Sequence, residues 1–200
     1  MWIAIEGIDG AGKSSLINNL EKKLQNLKIN FLITQEPGST KLGQEIKNII
    51  EKTEHHKNTE IFLFACDRAE HYQTIIKPAL KNKQLIISDR SVFSSIAYQG
   101  YGYNYDINNI IIINKIACEN NFPDLIIYLK ILPEIALDRI KKNRRILTNF
   151  EKLDFLKKVS DGFDKIVAKE NSLIIDALED QTIIVEKIFN KLIDLKVFAK

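Results

Sequence analysis

Short, nearly continuous apolar runs alternate along the chain with longer segments whose apolar residues recur every three or four positions. The runs Trp2–Glu6, Ile29–Thr34, Leu85–Ser88, Leu125–Leu129 and Leu173–Ile175 are short, rich in isoleucine and apolar almost throughout. That is the pattern of parallel strands covered on both faces, because a strand with one wet face would alternate polar and apolar positions. Between them lie helix-length segments: Lys13–Leu27, Lys41–Lys52, Thr59–Lys81, Ser94–Gln99, Ile107–Asn120, Pro133–Lys142, Phe150–Lys169 and Thr182–Val197. In the first of these, Leu16, Ile17, Leu20, Leu24 and Leu27 form one apolar stripe. Pro133 suits the first position of its helix, where a missing N–H costs nothing. Strand–helix alternation of this kind predicts an α/β doubly wound fold, a five-stranded parallel sheet flanked by helices in three layers. Ligands then bind beyond the carboxyl ends of the strands.

Two hundred residues, 45% hydrophobic and 28% charged, predict one domain spanning 1–200. The longest apolar run, Ile61–Cys66, has six residues, where a spanning helix needs about 20. Met1-Trp2-Ile3-Ala4-Ile5-Glu6 has neither a basic leader region nor a cleavage signature. The expectation is a soluble, unprocessed protein with no membrane partner. Lys and Arg number 29 against 26 Asp and Glu, a net charge of +3, and the cations are scattered. That argues against a nucleic-acid stripe and suits a small anionic substrate. Cys66 and Cys118 are far apart and the three histidines (His55, His56, His71) have no metal-ligand spacing, so two core thiols in a reducing cytoplasm are expected.

The chemistry starts at Gly7-Ile8-Asp9-Gly10-Ala11-Gly12-Lys13-Ser14, a full G-x-x-x-x-G-K-S/T match that follows one predicted strand and opens an amphipathic helix. Such a P-loop turns successive backbone N–H groups toward phosphate oxygens, and the helix N-terminus adds partial positive charge. Lys13 can reach the β- and γ-phosphates, and the Ser14 hydroxyl can ligate Mg²⁺. A P-loop alone names no reaction. A switch GTPase would need N-K-x-D to read guanine, and the nearest strings, Asn114-Lys115-Ile116-Ala117 and Asn190-Lys191-Leu192-Ile193, lack the aspartate.

Three further segments narrow the choice. Glu36-Pro37-Gly38 follows the second strand. Phe64-Ala65-Cys66-Asp67-Arg68-Ala69-Glu70-His71 sits on a helix, with Phe64 and Arg68 one turn apart. Asp89-Arg90 follows the third strand and leads into Ser94-Ser95-Ile96-Ala97-Tyr98-Gln99-Gly100. By these blocks, and by Ile76-Lys77-Pro78-Ala79-Leu80, Pro123-Asp124-Leu125 and Ile175-Asp176-Ala177, nearly the whole chain resembles the thymidylate kinase family of P-loop nucleoside-monophosphate kinases. The resemblance implies phosphorylation of dTMP to dTDP by ATP and Mg²⁺, in dTTP biosynthesis, by a cytoplasmic homodimer. The alternative on the same frame is a kinase for another nucleoside monophosphate or a deoxynucleoside.

Carried over to this chain, the resemblance implies an ATP site at Gly7, Ile8, Asp9, Gly10, Ala11, Gly12, Lys13, Ser14 and Ser15. Phe64 would stack on thymine. Arg68 would bond a base carbonyl and approach the 5′-phosphate; on spacing alone it could equally pair with Asp67 or Glu70. Arg90 would grip the phosphate, as a bidentate guanidinium can. Ser94, Ser95 and Gln99 would read the base edge, and Tyr98 would pack below the deoxyribose. Asp9 would accept from the 3′-hydroxyl, and Glu36-Pro37, joined by a cis bond, would shape the acceptor loop. Asp89 would serve the Mg²⁺ shell or Lys13, or else cap the next helix. Gln35, Ser39, Lys47, Ser91 and Thr148-Asn149 depart from the family's usual residues. One branch of the family carries an arginine where this chain has Gly10. Its absence here points to a lid at about 143–149, with Arg144 and Arg145 as catalytic cations beside Lys13, Asp9 and Arg90. On sequence alone, those two arginines could instead complement the dipole at the end of Pro133–Lys142.

Overall fold

The computed structural model describes residues 1–143, 150 and 152–198. Among these, five parallel strands form one sheet: β1 (Trp2–Glu6), β2 (Phe31–Gln35), β3 (Leu85–Asp89), β4 (Leu125–Lys130) and β5 (Ser172–Asp176), in the order β2-β3-β1-β4-β5. All five predicted strands are present: β1 has the predicted bounds, and the other four are shifted or extended by a residue or two. The helices are α1 (Lys13–Asn26), α2 (Lys41–Lys52), α3 (Lys57–His71), α4 (Lys77–Lys81), α5 (Val92–Ser95), α6 (Ile107–Ala117), α7 (Pro133–Asn143), α8 (Leu153–Val167) and α9 (Gln181–Asp194).

The sheet is dry on both sides, as the continuous apolar runs require. Trp2 of β1 and Ile86 of β3 pack with Tyr72, Ile76, Ala79, Ala117 and Cys118. Ile3, Ile5 and Ile87 join the larger cluster that holds Leu16, Leu20 and Leu24 of α1 and Ile184, Ile188 and Leu192 of α9. In register, Ile5 of β1 faces Asp89, and Asp89 faces Gln35 of β2. The carboxyl ends of three neighbouring strands therefore finish level, and their loops share one mouth.

Two predicted helices differ in form. The run expected over Thr59–Lys81 begins at Lys57, and π-helical turns over Tyr72–Ile76 separate α3 from α4. Pro78 has no N–H for the carbonyl of Thr74, so the regular ladder cannot continue through that turn. The segment expected over Ser94–Gln99 starts at Val92 and widens into π-helical turns over Ile96–Gly102, where the Tyr103 amide reaches back to the Tyr98 carbonyl at 3.0 Å. Tyr98 and Gln99 both lie on this widened stretch and both line the cavity described below. One thiol departs from expectation. Cys118 is buried, but Cys66 is exposed on α3, on the outward side that Phe62 also occupies.

Candidate active site

A cavity of about 970 Å³ opens at the carboxyl ends of β1, β2 and β3. Its floor is the loop between β1 and α1. Gly12, at φ +97°, caps α1 in the left-handed region. Gly10, at φ +82°, lies so close to α7 that a Cβ there would stand 2.4 Å from the Ala136 carbonyl oxygen. Lys13 folds back over this loop, its Nζ donating to the carbonyls of Gly7 at 2.9 Å and Ile8 at 3.2 Å. Burial, reinforced by the charge of Arg90, pulls the Lys13 ammonium down to about 8, against the opposing pull of Asp9 and Asp89. Ser14 and Ser15 are exposed, whereas the side chains of Ile8 and Ala11 belong to the core. Those two can offer a ligand only backbone.

Arg90 is the centre of the second wall. It adopts φ +71°, a left-handed conformation that costs a side-chain-bearing residue about 1–3 kcal/mol. Its amide is pinned to the Ile5 carbonyl at 3.0 Å. The guanidinium donates from Nη2 to Asp9 and from Nη1 to Ser94 Oγ at 3.2 Å, and it lies 5.0 Å from the centre of the Tyr98 ring. The Tyr98 hydroxyl donates to Asp9 Oδ2 at 3.0 Å, and burial pushes its ionisation far up. Behind Ser94, the fully buried Glu6 carboxylate accepts from Ser94 Oγ at 2.6 Å and Ser91 Oγ at 2.7 Å. Ser91, a departure from the family pattern, thus holds Glu6. It also caps α5, its Oγ accepting from the Phe93 amide at 3.3 Å, so Asp89 is not that helix's cap.

The third wall is the turn after β2. The Glu36–Pro37 peptide bond is cis, as expected. The Glu36 carboxylate accepts from Arg68 Nε at 2.7 Å and His71 Nδ1 at 2.9 Å. Burial alone would raise Glu36, but Arg68 and His71 outweigh it and hold the carboxyl below its ordinary range. His71 Nε2 lies 2.6 Å from Thr34 Oγ1, which bonds Ser39 Oγ at 2.8 Å. Asp67 accepts from the Gly38 amide at 3.1 Å, and burial together with nearby Glu36 pushes it up to about 6. Arg68 therefore pairs with Glu36 rather than with its helix neighbours.

Of the residues singled out from sequence, Asp9, Gly10, Gly12, Lys13, Ser14, Ser15, Glu36, Pro37, Phe64, Arg68, Asp89, Arg90, Ser94, Ser95, Tyr98 and Gln99 line this one cavity. Gly7, Ile8 and Ala11 of the same loop are not among the lining residues. Arg144 and Arg145 fall outside the described residues. The sequence reading missed Arg139 of α7, which also lines the cavity and donates to the carbonyls of Gly10 and Ala177, each at 3.4 Å. Leu178, Glu179, Asp180 and Gln181 line the same end. Its only sequence signal was the Ile175-Asp176-Ala177 block just before them.

For a divalent cation, the donor set is the Ser14 hydroxyl and the Asp89 carboxylate, both on the cavity wall. Asp89 Oδ1 is buried and has no hydrogen-bond partner among the described residues. Two protein oxygens suit Mg²⁺, which usually keeps several waters and takes its other ligands from phosphates.

A phosphate-cradling loop at the end of the central strand, facing a second anion-gripping wall across one cavity, defines a P-loop phosphotransferase of the small-molecule kinase class. The family model for thymidylate kinase matches residues 5–188, and the chain belongs to that family. A thymidylate kinase of Prochlorococcus marinus (strain MED4) is 37% identical over all of this chain and 96% of its own length. One of Clostridium novyi is 34% identical, over all of this chain and 98% of its own. The crystal structure of thymidylate kinase from Ehrlichia chaffeensis aligns with a TM-score of 0.78 at 29% identity, covering 96% of this chain and 98% of that one.

Proposed function

We propose that this chain phosphorylates dTMP to dTDP with ATP as donor and Mg²⁺ as cofactor, as one domain over 1–200 closed by a lid at about 143–149. The carrying observation is the single cavity with Lys13 and Ser14 on one wall and Phe64, Arg68, Arg90 and Tyr98 on the others. There is little covalent chemistry for the protein to do in such a transfer. Its task is to bring two polyanions into line, offset their charge and exclude water. Arg90, locked by Asp9 and Ser94, presents a fixed fork to the acceptor phosphate. Lys13 must leave the Gly7 and Ile8 carbonyls to meet the donor's phosphates. Phe64 offers its face to the base, and Asp9 an acceptor to the 3′-hydroxyl. Ser14 and Asp89 would hold Mg²⁺, which when bound offsets charge on the β- and γ-phosphates.

A coupled assay with ATP, Mg²⁺ and a panel of monophosphates tests this reading. We expect dTMP to exceed dUMP by roughly 1–3 kcal/mol in kcat/KM, the value of one methyl group in a closely fitting pocket. Ribonucleotides should be poorer, because Tyr98 lines the cavity with its hydroxyl committed to Asp9 and would crowd a 2′-hydroxyl. AMP or CMP as the better acceptor would refute the assignment.

The low affinity of Lys13 for its proton gives a pH signature. A neutral amine cannot balance phosphate charge, so kcat/KM for ATP should fall as pH rises through about 8. With phosphate bound, the ammonium is stabilised and kcat should hold to higher pH. A kcat/KM profile flat to pH 9.5 would remove Lys13 from donor binding.

We also infer a homodimer. Phe62 of α3 and Ile112 and Ile116 of α6 are 63%, 55% and 76% exposed on two helices packed side by side, an apolar patch suited to a second copy. Leu80 of α4 is half-buried against the smaller core cluster and adds little to this patch. Sedimentation showing only monomers at micromolar concentration would reject the dimer. We assign the protein to the cytoplasm. Both cysteines are free, and no helix among the described residues is long and apolar enough to cross a membrane.

A further inference from the structure

Asn114, the first residue of a string that fails as a guanine reader, reaches the site by another route. It lies on α6 and is 2% exposed. Its Nδ2 donates to the Ile110 carbonyl at 2.7 Å, one turn back, which orients the amide. The amide oxygen accepts from Arg68 Nη1. The same guanidinium donates from Nη1 to Ser95 Oγ at 3.0 Å, from Nε to Glu36 at 2.7 Å and from Nη2 to the Ser91 carbonyl at 3.1 Å. A guanidinium carries five N–H groups in one plane. Among the described residues four are taken, and one, on Nη2, is left for the cavity that Arg68 lines.

We propose that Asn114 is a positioning residue for base selection. It completes the set of partners that fixes the plane of Arg68, so that the guanidinium offers one N–H to one acceptor. The 4-carbonyl of thymine fits that demand, and an amino group at the same place does not. A single remaining donor also means that Arg68 serves the base and leaves the 5′-phosphate to Arg90. If Asn114 is removed, a buried N–H of Arg68 loses its partner. The group can recover it only by turning, and the fixed presentation to the base is then lost. This inference rests on the reading of dTMP as acceptor.

The test compares wild type, Asn114→Leu and Asn114→Asp with dTMP, dUMP and dCMP as acceptors. Asn114→Leu should raise the KM for dTMP about tenfold and cut the preference for dTMP over dCMP about tenfold, with the KM for ATP within about twofold. Activity on dUMP, which shares the 4-carbonyl, should fall in parallel with dTMP. Asn114→Asp keeps an acceptor oxygen toward Arg68 but sets its other carboxylate oxygen against the Ile110 carbonyl, so its preference for dTMP over dCMP should fall between those of wild type and Asn114→Leu. If Asn114→Leu does not fold, Asn114→Ser, too short to reach Arg68, supplies the same comparison. An unchanged dTMP-to-dCMP ratio with only a lower Tm makes Asn114 a structural residue and overturns the proposal. So does an Asn114→Leu variant whose KM for ATP rises as much as its KM for dTMP. Wild-type protein that prefers dCMP overturns the functional reading as well, whereas a dTMP preference unmoved by the variants overturns this inference alone.

Discussion

Replacing Arg90 by alanine should lower kcat/KM for dTMP about 1,000-fold, the scale on which a fixed cation at a phosphoryl-transfer site acts. The structure explains why the loss should be that large. Arg90 is held by the Ile5 carbonyl, Asp9, Ser94 and the face of Tyr98. The strain of its positive φ is offset by those contacts, so the fork is aimed before substrate arrives. Its removal would also take the paired guanidinium from Asp9, the residue proposed to accept from the 3′-hydroxyl. Arg90→Lys should recover little, about tenfold at most, because one ammonium cannot bridge Asp9 and Ser94 while gripping two phosphate oxygens. Steady-state kinetics with circular dichroism as a folding control decides the matter. A properly folded Arg90→Ala within tenfold of wild type would mean that the acceptor phosphate is held elsewhere.

The second large effect is expected at Arg144 and Arg145. Gly10 occupies the P-loop position where one branch of the family has arginine, and here that position has no room for a side chain. A Cβ would collide with the Ala136 carbonyl, and the backbone sits at φ +82°. Lys13 and Arg90 belong to the two phosphate walls, and Arg139 is tied to the carbonyls of Gly10 and Ala177. On the proposed reading, charge developing on the transferred group falls to the basic run Lys141-Lys142-Asn143-Arg144-Arg145, of which Lys141–Asn143 belong to α7. Arg144→Ala with Arg145→Ala should cut turnover about 100- to 1,000-fold, with the KM for dTMP nearly unchanged. If the pair instead complements the dipole of α7, worth about 0.3–1 kcal/mol, the double variant should lose stability and keep turnover within tenfold. That outcome would end the catalytic assignment.

How much of the site was legible in the sequence follows from the range of the forces involved. A P-loop is local: six residues between a strand and a helix set its dihedrals, and its consequences for phosphate binding can be read from glycine, lysine and serine at fixed spacing. The Asp89-Arg90 pair at the end of an isoleucine-rich strand is local in the same sense. The knot of Glu36, Arg68, His71, Ser95 and Asn114 is not. It joins residues 27 to 46 positions apart around Arg68, and only the packing of α3 and α6 beside the loop after β2 brings them together. On helix spacing, Arg68 had nearer carboxylates in Asp67 and Glu70. Burial decided otherwise, because a charge taken out of water needs a partner that is buried with it.

Chain pattern by itself determined the five strands, the alternation with helices and the phosphate loop. Period-two and period-3.6 burial are properties of segments a few residues long, and the turn residues between those segments carry their own dihedral limits. Strand order was decided only by the tertiary structure. Inserting β3 between β2 and β1 sets Asp89 level with Gln35 and puts Arg90 within reach of Asp9, 81 positions away. So was the outward turn of Cys66 and Phe62, which lie in the longest apolar run of the chain yet sit on a helix face that the sheet does not cover. Hydrophobicity drives burial but does not choose which face of a helix receives it. That choice belongs to the neighbours, and they are assembled from distant parts of the chain.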